Sequence, residues 1–350
     1  MEKSHTGKVT WRSPSNIALV KYWGKKGFQL PANASLSMTL NRSYTETSVA
    51  FSPAAGKGSF EFYFDGKQNE GFRLKLEKYF SRLGNEFPWL NRFDLEIYSK
   101  NTFPHSAGIA SSASAMSALA LCLCSIHQEV GKNSQETDFY KHASHIARIG
   151  SGSAARSVFG GFTSWGETDL IAASSDGYAS KLDFKVDPVF ENMHDSILIV
   201  HSGEKKISSR VGHDLMERHD YAEARYRQAR KNMKELLQVL KNGDSGNFVR
   251  IVEHEALSLH AMMMASDPGY VLLDENTLKI IEKIRHYRKQ NYSALCFTLD
   301  AGPNVHVLFP ETENFKAKSF IDNELKPFCE NGQIIHDMMG RGPERILDNE

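Results

Sequence analysis

Residues 103–126, FPHSAGIASSASAMSALALCLCSI, limit the possible folds of this chain more than any other stretch. A proline-led run of glycine, alanine and serine passes without a break into an apolar segment. Serine and glycine are poor residues for a helix interior. A helix opening on Gly108, Ala110, Ser111, Ser112, Ala113 and Ser114 therefore needs a reason at its amino end. One reason is a serine cap with close helix packing. The other is that something sits in front of the helix. Unpaired N–H groups and about half a positive charge make a helix start a seat for anions, and small side chains leave that backbone bare. The hydroxyls of Ser111, Ser112 and Ser114 would add donors or a metal contact.

The apolar part, ASAMSALALCLCSI, would span about 21 Å as a helix, short of a bilayer's ~30 Å hydrocarbon layer, and so reads as a buried core helix. Its Cys122 and Cys124 project roughly 200° apart and cannot pair there. With Cys296 and Cys329 they are the chain's four cysteines, which suggests no disulfide scaffold and an expected cytoplasmic location. A chain of 350 residues can hold two domains. Its 42 basic and 42 acidic residues cancel, so neither nucleic acid nor an anionic membrane is an expected partner. The amino-terminal MEKSHTGKVTWRSPSN has no apolar core, and no secretory signal is expected.

Along the chain, KVTWRS, IALVKYW, SLSMTLN, YTETSVAF and FDLEIYSK have strand composition. GFRLKLEKYFSRLG has helical spacing, closed by Gly84. A short helix from Ser151 to the Gly160–Gly161 pair follows DFYKHASHIARIG, and SILIVHS opens a half dominated by helices over 211–241, 244–265 and 274–290. The strands YSALCFTLD and VHVLF then flank AGPN. This order predicts an α+β architecture with a boundary near 185–195.

Four further motifs carry candidate chemistry. GSGSAARSVFGG, at 150–161, repeats the bare helix start with Gly150, Ser151, Gly152 and Ser153, and sets Arg156 on the face of Ser153. A guanidinium fork there suits a carboxylate or a phosphate; the alternative is a surface arginine on a capped helix. SNIALVKYWGKK places Lys21, Lys25 and Lys26 around a Tyr-Trp-Gly turn, with Lys21 projecting opposite Tyr22 along a strand. LDAGPN ends an apolar strand on Asp300 before a turn that leaves room beside the carboxylate. HSGEKKISSRVGH offers Lys205, Lys206 and Arg210 as an anion-gripping loop or a soluble connection. HEALSLH is no zinc motif, because His254 and His260 lie six apart whereas ligands on one helical face need i and i+4. The Met262–Met264 run suits core or interface packing.

Together these residues resemble the GHMP kinase superfamily, whose phosphate loop reads Pro-x-x-x-Gly-Leu-x-Ser-Ser-Ala and stands here as Pro104, Gly108, Ile109, Ser111, Ser112 and Ala113. NIALVKYWGK, GSGSAARS and DAGPN, in that order over residues 10–310, narrow the resemblance to its diphosphomevalonate decarboxylases. The resemblance implies a two-domain GHMP kinase fold, 1–190 and 191–350, with the active site in a cleft between them. It implies ATP and Mg²⁺ as cofactors, 5-diphosphomevalonate as substrate, and a homodimer.

It further implies that Asp300 is base or positioner for the substrate's 3-hydroxyl, that Lys21 holds charges in register beside it, and that Arg156 grips the substrate carboxylate. Ser112 would meet the ATP phosphates and Mg²⁺, and Pro104, Ser106, Gly108, Ser111, Ala113 and Lys206 (or Lys205) would complete the nucleotide seat. Asn16, Tyr22, Gly24, Lys25, Arg73, Ser151, Gly152, Ser153, Ser209 and Arg210 would surround the rest of the substrate. The chain departs from the usual pattern at Ala34, where serine is common, at Ala155, where cysteine is, and at His213, where methionine is. The rival expectations are a mevalonate 5-phosphate decarboxylase, a mevalonate 3-kinase, another small-molecule GHMP kinase, and a catalytically dead binding protein.

Overall fold

In a computed structural model of the chain, the strand candidates on either side of Pro14 are one strand, β1 (Gly7–Val20), bulged after Pro14 and again after Ala18. SLSMTLN and YTETSVAF likewise merge into β2 (Ser35–Pro53), which pairs antiparallel with β1 over most of its length. The structure describes residues 6–104, 109–131, 138–203, 207 and 209–347. β3 (Phe60–Phe64), β4 (Lys67–Gln68) and β5 (Phe93–Asn101) extend this sheet, with α1 (Glu70–Leu83) on its face. Then come α2 (Ser111–Val130), α3 (Phe139–Gly150), α4 (Ala154–Ser157), β6 (Phe162–Trp165) and β7 (Ala179–Lys181). With the chain's last strand, β12 (Glu344–Ile346), the sheet order is β12-β1-β2-β5-β3-β4, with β6 on β2 and β7 on β6.

After α5 (Pro188–Glu191), β8 (His194–Leu198) begins a second, four-stranded antiparallel sheet ordered β11-β8-β10-β9. Between its strands run α6 (Ser209–Leu215), α7 (Ala222–Asn242), α8 (Ser245–Met264) and α9 (Glu275–Asn291), then β9 (Cys296–Thr298), β10 (Val305–Phe309), α10 (Asn314–Phe320) and β11 (Ile334–Met338). The helix expected over 211–241 is thus two helices, separated by a tight turn at Met216–Arg218 and an extended His219. The division expected near residue 190 also needs amending at the carboxyl end. The last strand, β12 (Glu344–Ile346), crosses back to pair with β1.

The length argument about the apolar run changes too. α2 has 20 residues, about 30 Å, enough to cross a bilayer; what assigns it to the core is packing. Two thirds of its apolar window is buried, against β1, β2 and α3. Its serines face threonines and serines of the sheet: Ser117 Oγ lies 2.6 Å from Ser13 Oγ, and Ser114 Oγ 2.7 Å from Thr45 Oγ1. Ser125 Oγ accepts from Trp11 Nε1 at 3.0 Å. Hydroxyls paired this way bury without the penalty of an orphaned polar group. Ser114 is therefore a packing residue, not the ligand donor expected of it.

The two halves share a core. Ile17, Leu19, Leu36 and Met38 of the first sheet pack with Ile197 and Ile199 and with Leu236, Leu240 and Ile251 of α7 and α8. That seam places the end of β1 against the second sheet, where the charged residues gather.

Candidate active site

β1 stops at Val20, so Lys21 is the first residue beyond the strand and does not alternate with Tyr22 as expected. Its position is fixed through its backbone. Lys21 N–H donates to Glu255 Oε2 at 2.8 Å, and Asn33 Nδ2 donates to Lys21 O at 3.0 Å. The side chain, almost wholly buried, ends with Nζ 3.0 Å from Asp300 Oδ1, whose own side chain is one-quarter exposed. Burial pulls the Lys21 pKa down, and the charge and hydrogen bond of Asp300 oppose that pull. Asp300 is held from behind, with its carbonyl oxygen 3.1 Å from His260 Nε2. Two residues beyond the end of β9, at Thr298 rather than at Asp300 as expected, stands a partly exposed carboxylate with a buried ammonium at its side.

Arg156 stands next to this pair. It is buried on the four-residue α4, which begins at Ala154 rather than at Ser151 as expected, so Ser151–Ser153 form the turn before it. Its Nη1 donates to Ser35 Oγ at 2.5 Å and its Nε to Asn16 Oδ1 at 3.2 Å. Burial lowers its pKa to about 10, against the opposing charge of Asp300. Asn16, expected to touch substrate, is itself buried. Its amide also donates to Ser157 Oγ at 2.8 Å and to Ser153 O at 3.4 Å, so it positions Arg156 and the turn.

The two small-residue segments meet. Ser112 Oγ, exposed at the start of α2, lies 3.3 Å from Ser151 Oγ. Ala110, before α2, is left-handed (φ 45°), among the described residues no side chain caps that helix, and its first turn carries no acid. Ser111 is half-buried, Ala113 buried and Pro104 exposed. A Cβ on Gly152 would lie 2.7 Å from the Trp165 ring and 3.0 Å from the Tyr22 hydroxyl, which is buried and has no hydrogen-bond partner among the described residues.

Lys25 is half-buried, its pKa lowered by burial and by Arg210 and raised by Asp214 and Glu217. Ser209 and Arg210 open α6, whose His213 ring packs on Tyr22 and Trp23. Gly24, at φ +99°, closes the turn between them. The described contacts of Arg73 are with its own helix. It lies at the exposed surface of α1 and forms a fork with Glu70, its Nε and Nη2 each 2.7 Å from a carboxylate oxygen. Ser106, Gly108, Lys205 and Lys206 lie outside the described residues.

The sequence reading missed the support beneath Lys21. Glu255, fully buried, accepts from Arg225 Nη1 (3.1 Å) and Nη2 (2.5 Å) and from Asn232 Nδ2 (2.6 Å). A signal for it exists. Glu255 falls on the stripe Phe248, Val252, Glu255, Leu259 of α8, and Arg225 and Asn232 sit among Ala229, Met233, Leu236 and Leu240 of α7. A carboxylate on one apolar stripe and a guanidinium on its neighbour need each other. His260, rejected as a zinc ligand, proves to orient Asp300, and Met263 packs behind Trp23 with Met216 and Leu259.

Known proteins resemble this chain along its whole length. Residues 13–179 match the family model of the diphosphomevalonate decarboxylase-like N-terminal domain, and residues 196–345 that of the mevalonate 5-diphosphate decarboxylase C-terminal domain. The diphosphomevalonate decarboxylase of Debaryomyces hansenii is 31% identical over 86% of this chain and 79% of its own length. That of Candida albicans is 29% identical over 96% and 97%. Among solved structures, the mevalonate diphosphate decarboxylase of Staphylococcus aureus superposes with a TM-score of 0.83 at 29% identity, covering 98% of this chain and 99% of its own. A complex of MDDEF with MVAPP, AMPPCP and magnesium gives 0.82 at 28% identity, with the same coverage.

Proposed function

Because the chain belongs to the diphosphomevalonate decarboxylase family, we propose that it converts (R)-5-diphosphomevalonate and ATP into isopentenyl diphosphate, ADP, phosphate and carbon dioxide, a step in making isoprenoid precursors. The observation that carries this reading is the buried Lys21 ammonium 3.0 Å from the Asp300 carboxylate, with Arg156 in the same electrostatic field. A kinase needs a positioned acceptor hydroxyl; a decarboxylase must also hold a carboxylate unprotonated beside a carbon that becomes electron-poor.

Asp300 accepts a hydrogen bond from the 3-hydroxyl and takes its proton as the oxygen is phosphorylated. Lys21 pairs with Asp300 and fixes its direction. Arg156, buried and braced by Ser35 and Asn16, presents its remaining N–H groups to the substrate carboxylate and keeps it anionic until it leaves as carbon dioxide. Ser151 and Ser153, with Lys25 and Arg210, seat the diphosphate.

The uncapped, acid-free start of the 20-residue α2 fits nucleotide phosphates, and exposed Ser112 fits as a hydroxyl ligand to Mg²⁺ shared with those phosphates. ATP·Mg²⁺ supplies the phosphoryl group that turns the tertiary hydroxyl into a leaving group. The relative MDDEF has been captured with AMPPCP and magnesium, which supports this assignment.

Incubating the enzyme and ATP with mevalonate, its 5-phosphate or its 5-diphosphate, and following ADP and carbon dioxide together, tests the reading. Stoichiometric ADP and carbon dioxide from the diphosphate are expected. ADP without carbon dioxide would make the chain a kinase, and a preference for the monophosphate would reassign the substrate. A homodimer and a cytoplasmic location complete the proposal. The buried free thiols of Cys122, Cys124, Cys296 and Cys329 support a reducing compartment, and light scattering in solution tests the dimer.

A further inference from the structure

α6 meets the turn after β1 through two adjacent residues. The His213 ring lies 4.2 Å from the Tyr22 ring and 4.6 Å from the Trp23 ring, centroid to centroid. Its Nδ1 accepts the Gly24 N–H at 3.0 Å. A ring nitrogen that accepts from a peptide N–H carries no proton, so the docked imidazole is neutral with its hydrogen on Nε2. The approach depends on two bare backbones. A Cβ on Gly24 would lie 2.1 Å from the Tyr226 hydroxyl, and one on Gly212 would lie 2.4 Å from the Trp23 ring and 2.5 Å from the Tyr270 hydroxyl.

The charges around the ring favour the accepting form. Burial, then the cations Lys25 and Arg156, push the His213 pKa down to about 3. The neighbouring Tyr22 has its pKa raised by burial, so its hydroxyl stays protonated. Asp214 follows on α6 and acts on Lys25 rather than on the ring. The contact is therefore between a fixed acceptor and a fixed donor, and it sits at a telling place. Gly24 directly precedes Lys25, and Arg210 lies one helical turn before His213.

We propose that His213 is a positioning residue for the diphosphate end of the substrate, an acceptor that clamps α6 to the Tyr22–Lys25 turn and sets Ser209 and Arg210 in register with Lys25. This rests on the reading of those three residues as the diphosphate seat. Removing the acceptor lets the two cations drift relative to each other, which costs most for a ligand that spans both and least for one with a single phosphate.

The test compares H213A with H213N, whose amide oxygen takes the place of Nδ1, using 5-diphosphomevalonate and 5-phosphomevalonate at neutral pH. In H213A the KM for the diphosphate is expected to rise about tenfold, the effect of one lost hydrogen bond. Its kcat should stay within about twofold and the KM for the monophosphate should move less. H213N should restore the diphosphate KM to within about threefold of wild type. An H213N enzyme as poor as H213A, an equal loss for both substrates, or an unchanged KM in H213A would overturn the proposal. Where alanine impairs folding, H213N against H213Q, with its oxygen one methylene further out, makes the same comparison. K25A is measured alongside. An unchanged diphosphate KM in K25A defeats the seat itself, whereas a raised KM there with no effect in H213A defeats His213 alone.

Discussion

Two ion pairs flank Lys21, and they differ in one respect. Arg225–Glu255 is closed: both side chains are buried, both carboxylate oxygens are engaged, and Asn232 takes a further bond. Lys21–Asp300 is open, with the ammonium as buried as Arg225 but the carboxylate one-quarter exposed. The closed pair holds backbone in place, through Lys21 N–H on Glu255 Oε2. The open pair keeps its carboxylate partly exposed, where a substrate can reach it. A buried pair breaks even at best against apolar packing, so its presence is weak evidence of stabilisation for its own sake. Here the closed pair determines where the open one stands.

The largest effect is expected where the open pair is broken at its acid. D300N keeps the shape and removes the base, and carbon dioxide release should fall by about 10²–10⁴. The melting temperature should fall too, but by less than when the closed pair is broken, because Lys21, left buried without its carboxylate, can shed its proton. A D300N enzyme as fast as wild type would remove Asp300 from the chemistry and erase the contrast between the pairs. Breaking the closed pair should do the reverse in kind. E255A leaves Arg225 buried without its carboxylate, at a cost of about 3–5 kcal/mol, read as a lower midpoint in denaturant. Residual activity should fall only as far as Lys21 is displaced. If E255A melts like wild type, the pair is not the support described.

How much of this could be read from the sequence depended on the reach of each feature. The start of α2, the serine-glycine turn before α4 and Asp300 at a strand end are local devices, and their residue types mark them. Arg156 was found, but the residues that brace it, Asn16 and Ser35, come from two other elements. Glu255 and Arg225 escape a local reading because they lie 30 positions apart, and their pairing becomes visible only when two helical stripes are laid side by side. Lys21 was placed on a strand because its neighbours are strand formers; the bulge after Ala18 and the Glu255 contact end the strand at Val20. Arg73 pairs with Glu70 of its own helix, one turn earlier, a contact that its sequence spacing alone allows.

The smallest effect, and the one that most sharpens the contrast, concerns the ammonium shared by both supports. Burial moves the Lys21 pKa below the ordinary 10.5, only partly restored by Asp300 and Glu255, with Arg156 adding to the fall. A cationic group with a lowered pKa loses its proton earlier as pH rises. Activity should therefore decline on the alkaline side at a pH below that of a free lysine, when Asp300 loses its charged neighbour. K21R, slower in absolute rate because its fork is bulkier, should lose the alkaline limb and stay flat to higher pH. A limb that persists unchanged in K21R would belong to another group, and Lys21 would then serve Asp300 by geometry alone.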